Sequence, residues 1–394
     1  MKKTITDFDL SGKKVIIRCD FNVPIENGVI LDDNRIKESL KTINYAVEKK
    51  AKVILLSHLG RIKSEDDKKN NSLKPVADRL SNFLNKNVIF VDETRGVVLE
   101  DSINNMHDGD VLLIQNTRYE DLLENKESSN DEELGKYWAS LGDIFINDAF
   151  GTAHRSHASN VGIASNLPSA VGFLVAKELK ELGKLLDNPQ RPYVAIMGGA
   201  KMKDKIKVMD KLVEKADYIL LGGGIANTFL VAKNIDVKHS VYDEESVEHA
   251  RFLLSKYKDK IILPVDGYGS MEYKDDLEVY YSGINNIKDG VMVLDLGPKT
   301  LDLYKGYLRK SKTVFWNGPI GVNYFKNFEY GTKTLCEILK DTCATVIVGG
   351  GDSAAAVISL GYKQTFSHIS TGGGAALEFI EGKKLPGIEV IEDK

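Results

Sequence analysis

Eleven short, nearly uninterrupted apolar runs, separated by longer stretches of helical periodicity, constrain this chain more than any other feature. They fall at residues 15–17, 53–56, 88–91, 111–114 and 144–146, then at 194–197, 219–221, 261–265, 291–294, 313–316 and 345–348. Each has the length of a strand and is apolar at successive positions, as a parallel strand covered on both faces must be. Between them, residues 35–50 repeat Ile36, Leu40, Ile43 and Val47 at helical spacing, and residues 203–216 repeat Ile206, Met209, Leu212 and Val213. Strand and helix in alternation predict βαβ units, hence parallel sheets with helices on both faces.

With 394 residues the chain is too long for one ordinary core and predicts two doubly wound α/β domains. No Gly/Ser linker separates them. Residues 166–168 close the first set of elements, and residues 170–186 read as one amphipathic helix. The expected organisation is a first domain over 1–168, a connecting helix over 169–186 that serves as a hinge, and a second domain over 187–382.

In open α/β sheets, ligands bind beyond the carboxyl ends of the strands, so the residues directly after each run carry the functional information. In the first half these are polar and cationic. Arg18, Asp20 and Asn22 follow the first run, His58 and Arg61 the second, Arg118 the fourth, and His154 and Arg155 the fifth, with Arg35 expected in the loop closing the first unit. One arginine after a strand is ordinarily a solvated surface charge; five of the chain's ten in equivalent positions are harder to dismiss. A guanidinium grips a carboxylate or phosphate with two parallel hydrogen bonds, so this half reads as a receptor for a small, strongly anionic molecule. Asp20 and Asn22 add an acceptor and an amide suited to a hydroxyl. For either histidine taken alone, a structural role is the commoner one.

In the second half the strands empty into glycine. Gly198 and Gly199 precede Lys201, Gly222 to Gly224 follow the run at 219–221, and Gly349, Gly350 and Gly351 precede Asp352 and Ser353, with Gly372, Gly373 and Gly374 later. Glycine turns that open helices let phosphates reach backbone N–H groups at the positive end of the dipole. Tight packing alone selects glycine at any one such turn, but this many in one half favour a polyphosphate. Lys201 and Lys205, four apart, are expected on one face of the helix opening there. Cations at that end oppose the dipole, and a bound phosphate accounts for them better than stability does. Asp352 is the best magnesium-ligand candidate and an expected N-cap for a helix beginning near Ser353.

A net charge of −4 gives no global attraction to nucleic acid or anionic membrane. Cys19, Cys336 and Cys343 are scattered without metal or disulfide spacing, which fits a reducing cytoplasm. No run approaches the ~18 apolar residues of a membrane span. Neither a GxxxxGK[ST] loop nor a GxGxxG turn is present, so P-loop and nicotinamide chemistry lack their signatures.

Together these residues resemble the phosphoglycerate kinase family from end to end. The matching segments are RCDFNVP (18–24), SHLGR (57–61), NDAFGTAHR (147–155), GGAKMKDK (198–205), LGGGIANTF (221–229), LDLGPKT (294–300), WNGPIGV (316–322), GGGDSAAA (349–356) and STGGGAALEF (370–379), in family order. The resemblance implies two Rossmann-like domains across a cleft, with residues 383–394 returning to the first. It implies a cytoplasmic monomer that bends at its hinge and catalyses a glycolytic and gluconeogenic step. That step is reversible, Mg²⁺-dependent phosphoryl transfer between 1,3-bisphosphoglycerate with ADP and 3-phosphoglycerate with ATP. Asp20, Asn22, Arg35, His58, Arg61, Arg118 and Arg155 correspond to the 3-phosphoglycerate site. Gly198, Gly199, Lys201, Lys205, Gly222, Gly223, Asn317, Gly349, Gly350, Gly351, Asp352 and Ser353 correspond to the nucleotide site, with Asp352 the metal ligand. Arg35 and Lys201 are expected to neutralise the transferring group, with N–H groups of Gly350, Gly351, Gly373 and Gly374 completing its cradle.

The sequence departs from the family pattern at three positions. Tyr324 occupies the place of a glutamate that holds the nucleotide ribose, Gln115 stands where a glutamate is common, and Ile62 where proline follows SHLGR. Two other classes compete: a non-catalytic nucleotide or anion sensor on the same fold, and a kinase for another small carboxylate. The first predicts erosion of the lysines, the Asp352 turn or the arginines, and none is eroded. The intact arginines count against the second.

Overall fold

The computed structural model describes residues 1–275 and 278–394. The chain divides into two compact units, Met1–Lys180 with Lys384–Lys394, and Glu181–Lys383, so the division falls inside the helix Phe173–Leu186.

The first unit is built on six parallel strands: β1 (Lys14–Arg18), then, after a small hairpin of β2 (Ile25–Glu26) and β3 (Val29–Ile30), β4 (Lys52–Leu56), β5 (Val88–Val91), β6 (Val111–Ile114), β7 (Ile144–Asn147) and β8 (Ser169–Val171). Their order is β5-β6-β4-β1-β7-β8. Val15, Ile17, Val53, Leu55, Val111 and Leu113 are inaccessible and pack with Ile36, Ile43, Ala46, Val76 and Leu80 from the covering helices. Burial on both faces is why these strands read as continuous apolar runs. Chain order reverses at β1, whose neighbours β4 and β7 lead away on opposite sides. The loops after these three strands therefore bound the natural ligand crevice.

The second unit repeats the plan with β9 (Tyr193–Met197), β10 (Tyr218–Leu221), β11 (Ile261–Ile262), β15 (Thr313–Asn317), β16 (Thr345–Gly349) and β17 (His368–Ile369), in the order β11-β10-β9-β15-β16-β17. Reversal falls between β9 and β15, which pair in parallel from Tyr193↔Thr313 to Met197↔Asn317. A separate antiparallel sheet, β13-β12-β14, joins β12 (Asp266–Ser270), β13 (Tyr280–Gly283) and β14 (Met292–Leu296).

Four expectations need correcting. The run at 291–294 belongs to β14 and is antiparallel, because apolar content alone does not fix strand direction. The run at 261–265 keeps only Ile261–Ile262 as strand; Pro264 lacks the N–H a ladder requires. The connecting helix begins at Phe173, not 169, because Ser169–Val171 pairs with β7 as the sixth strand. Arg35 lies in the first turn of the helix Asn34–Glu48 and not in a loop.

Candidate active site

In the first unit, the loops beyond β1, β4, β6 and β7 gather the predicted anion-binding side chains. Nη1 of Arg35 donates to both carboxylate oxygens of Asp20 at 3.0 Å and to the Asn22 carbonyl at 3.2 Å. The Asn22 side chain in turn accepts from the Gly60 N–H at 2.9 Å, tying the first loop to the second. Arg118 rides on a single turn of 3₁₀ helix, Thr117–Glu120, capped by Asn116, whose Oδ1 accepts from the Arg118 N–H at 3.1 Å. Asn116 Nδ2 also donates to the Leu59 carbonyl at 2.7 Å, so one amide braces both loops. The Arg118 side chain is buried with its Nε unpartnered. Burial and the neighbouring charges of Arg155 and Arg18 hold its pKa below the usual guanidinium range. Arg155 is half-buried, its Nε 3.2 Å from His154 Nε2, and Arg61 is exposed.

Arg18 departs from the expected rim of five arginines. It is fully buried, its Nε donating to Ser159 Oγ at 2.8 Å and its Nη1 to the Cys19 carbonyl. Glu127, also inaccessible, lies 4.0 Å from its Nη2 and accepts from the Ser159 N–H at 2.9 Å and from Thr117 Oγ1 at 3.2 Å. A charge at the end of a central strand is buried only when paired and hydrogen-bonded, and Glu127 with Ser159 supplies the pairing. Arg18 Nη2 also faces His58 Nδ1 at 3.3 Å. A guanidinium only donates, so Nδ1 accepts and the proton sits on Nε2. Burial and Arg18 hold the His58 pKa well below its ordinary value, leaving a neutral ring.

In the second unit, the loop after β9 and the turn after β15 meet at the reversal point. The Gly198 N–H donates to the Asn317 carbonyl at 2.9 Å, and the Gly223 N–H to the Ile320 carbonyl at 3.0 Å. A Cβ at Gly198 would stand 2.1 Å from the Pro319 carbonyl, and one at Gly222 would stand 2.7 Å from Ile320 Cβ. Gly198, Gly222 and Gly223 thus serve close packing of turns, and their N–H groups are spent inside the protein. Gly350 and Gly373 share the positive φ of Gly223, at +91° and +51° against +61°, and like Gly222 each immediately precedes a helix, here Gly351–Ser359 or Gly374–Ile380. The first N–H groups of those helices lack intrahelical acceptors.

Lys205 lies beside these turns. Its Nζ donates to the Gly198 carbonyl at 2.8 Å, and burial lowers its pKa to about 8, against an opposing pull from Asp352. Lys201 is exposed and does not share a helix with Lys205. Residues 200–202 are irregular, Lys203–Lys205 form a 3₁₀ turn, and the helix begins only at Ile206. Asp352 is exposed in the first turn of its helix, whose N-cap is Gly350, so it is not the expected cap. Ser353 is buried, accepting from the Gly318 N–H at 3.1 Å and donating to the Gly349 carbonyl at 2.5 Å. Asn317 Nδ2 donates to the same carbonyl at 2.8 Å. Gly349, Ser353 and Asn317 therefore join the two turns. Tyr324 is two-thirds exposed, its hydroxyl against that of Tyr273 and its ring 4.9 Å from that of Phe325.

Among the described residues, no group of three or more His, Cys, Asp or Glu side chains is placed to hold a metal. Mg²⁺ carried on a nucleotide needs no such cage, keeping waters and taking one carboxylate beside phosphate oxygens. Asp352 is a donor of that kind.

Sequence reasoning missed Glu127, which lies in a polar turn, and Ser159, which lies in the short π-helical segment Ala158–Gly162, neither marked by periodicity. It also missed Tyr273, where only its aromatic character near Tyr324 offered a signal.

Two parallel α/β units, one lined with guanidinium groups and the other with glycine turns and a desolvated lysine, define a phosphotransferase for a small anionic acceptor. The family model for phosphoglycerate kinase matches residues 5–383. Proteins named phosphoglycerate kinase from Enterococcus faecalis and Fusobacterium nucleatum are 56% and 55% identical, over the whole of this chain and of theirs. The solved phosphoglycerate kinase of Coxiella burnetii superposes with a TM-score of 0.88 at 38% identity, covering 99% of this chain and 98% of that one. The Pyrococcus horikoshii enzyme gives 0.87 at 31%, with the same coverage. The chain belongs to the phosphoglycerate kinase family, and its reaction is phosphoryl transfer between 3-phosphoglycerate and a nucleotide in glycolysis.

Proposed function

We propose that Asp20, Asn22, Arg35, His58, Arg61, Arg118 and Arg155 hold 3-phosphoglycerate, and that Lys201, Lys205, Asp352 and the turns at Gly350 and Gly373 hold the nucleotide phosphates. The observation that carries this reading is Arg118, a buried guanidinium whose Nε has no partner. Such a donor is costly unless an anion completes it. Arg155 and the neutral donor His58 extend the same face.

The acceptor is a carboxylate, ionised at neutral pH, so transfer needs alignment and charge compensation and no general base. An acceptor oxygen attacks the terminal phosphorus of ATP as its bond to ADP breaks. Arg35 and Lys201 neutralise the charge spread over the transferring group, while N–H groups of Gly350, Gly351, Gly373 and Gly374 cradle its oxygens. Lys205 holds the remaining phosphates. Mg²⁺, held through Asp352, would supply further charge neutralisation on the nucleotide. Turnover is proposed to proceed by closure of the two units, which shields the acyl phosphate from water. A cytoplasmic monomer is the proposed working state; all three cysteines are free, which supports a reducing compartment.

Replacing Arg35 by Ala should lower kcat by about 10²–10³-fold. Folding should survive, since the side chain is already one-third exposed. A coupled assay with 3-phosphoglycerate and ATP reads this, and near-normal turnover would overturn the assigned role.

A further inference from the structure

The turn formed by residues 317–322 is pinned on three sides. It receives the Gly198 and Gly223 N–H groups at its Asn317 and Ile320 carbonyls, and its Val322 N–H donates to the Leu294 carbonyl of β14 at 2.8 Å. The next residue of β14, Asp295, has a carboxyl whose pKa burial raises to about 8, with no neighbouring cation among the described residues to oppose it. It accepts instead from two backbone groups, the Leu296 N–H at 2.9 Å and the Gly331 N–H at 2.6 Å. Gly331 belongs to the first turn of the helix Tyr330–Lys340. A Cβ at either Gly321 or Gly331 would stand 2.2 Å from the Asp295 Oδ1. Glycines from two different elements have thus closed over one carboxyl, and Asp295 lines the same narrow cavity as Gly223 and Ile320.

A buried carboxyl without a cation is costly, and an apolar side chain would pack in its place unless the two acceptors were required. We propose that Asp295 is a positioning residue for the nucleotide site, setting the seat of the 317–322 turn against β14 and the 330–340 helix. It touches no substrate; it fixes where Asn317 meets Gly198, whose carbonyl holds Lys205, and Gly349, which precedes the Gly350 turn. The proposal rests on the nucleotide site assigned above and names a residue outside it.

The prediction is a split between the two substrates. Asp295→Ala should weaken MgADP binding, measured by calorimetry without acceptor, tenfold or more, while KM for 3-phosphoglycerate stays within twofold. Asp295→Asn, which keeps one acceptor, should fall between. Gly321→Ala leaves the carboxyl but forces it aside, and should weaken MgADP similarly even if Asp295→Ala folds poorly. Because both act through one contact, the double variant should be less than twofold weaker than Asp295→Ala alone. A lowered Tm with unchanged MgADP affinity in these variants would overturn the proposal, as would effects that simply multiply. Affinity is read without the acceptor, so a failure of the residues assigned to 3-phosphoglycerate would overturn that assignment and not this role.

Discussion

Raising the pH from 7.5 to 9.5 should weaken nucleotide binding through one side chain, Lys205. Its Nζ is fixed on the Gly198 carbonyl and lies 3.1 Å from where a Cβ of Gly199 would stand, and burial lowers its pKa to about 8. Over that window its protonated fraction falls from about 75% to about 3%, while nucleotide phosphates stay ionised. If only the ammonium form grips phosphate, affinity falls on the order of twentyfold, about 2 kcal/mol. The sign for folding is opposite. A lysine whose folded pKa lies below its unfolded value binds more protons when unfolded, so the empty protein gains stability as pH rises through the window between them. Calorimetry of MgADP binding in buffers of different ionisation heat tests this, because proton uptake appears as buffer-dependent heat. Lys205→Met should bind weakly at both pH values, with a ratio near one. A flat affinity in the unaltered protein, or the same fall in Lys205→Met, would refute the reasoning.

Two further substitutions probe departures from the family pattern. Gln115 Nε2 donates to Asp92 Oδ1 at 2.6 Å and to Ser72 Oγ at 2.9 Å, while its Oε1 accepts from the Leu73 and Asn116 N–H groups at 2.9 and 2.8 Å. Gln115→Glu sets a second carboxylate against Asp92 and should cost about 1–3 kcal/mol at pH 7, a loss in Tm that shrinks near pH 4 as the pair takes up a proton. Tyr324→Glu should lower KM for ATP by up to about tenfold if the carboxylate reaches the ribose, with KM for 3-phosphoglycerate unchanged in a steady-state assay.

The parallel strands were legible because burial on both faces leaves a continuous apolar signature. Strands β8 and β17 were not: His368–Ile369 is only two residues long and opens on a polar one, and residues 169–171 run into an amphipathic helix with Gly172 between them as the sole punctuation. The glycine turns were legible as turns, but not the division of labour among them. Gly223 opens a helix, as Gly351 does, yet its N–H is spent on the Ile320 carbonyl, a partner distant in sequence that no local pattern announces. Arg18 shows the same limit. Its place after a strand predicted a rim charge, and only the folded chain brings Glu127 and Ser159 beneath it. Lys205 was found by spacing for an incorrect reason, since the irregular segment at 200–202 delays the helix that spacing assumed.

The segment Lys384–Lys394 belongs to the first unit, although the whole second unit precedes it in the chain. Its Gly387 N–H donates to the Ala153 carbonyl at 2.9 Å, and Asn147 Nδ2 donates to the Gly387 carbonyl at 2.7 Å, directly beneath the loop that carries His154 and Arg155. On the ribosome, therefore, the first half emerges before the segment that braces its loop of His154 and Arg155. The second unit is made as one unbroken stretch, and the loop gains its last braces only after that stretch has passed. Translation that stops short would release a chain with every guanidinium of the proposed acceptor site present and without the hydrogen bonds of Gly387 to Ala153 and Asn147.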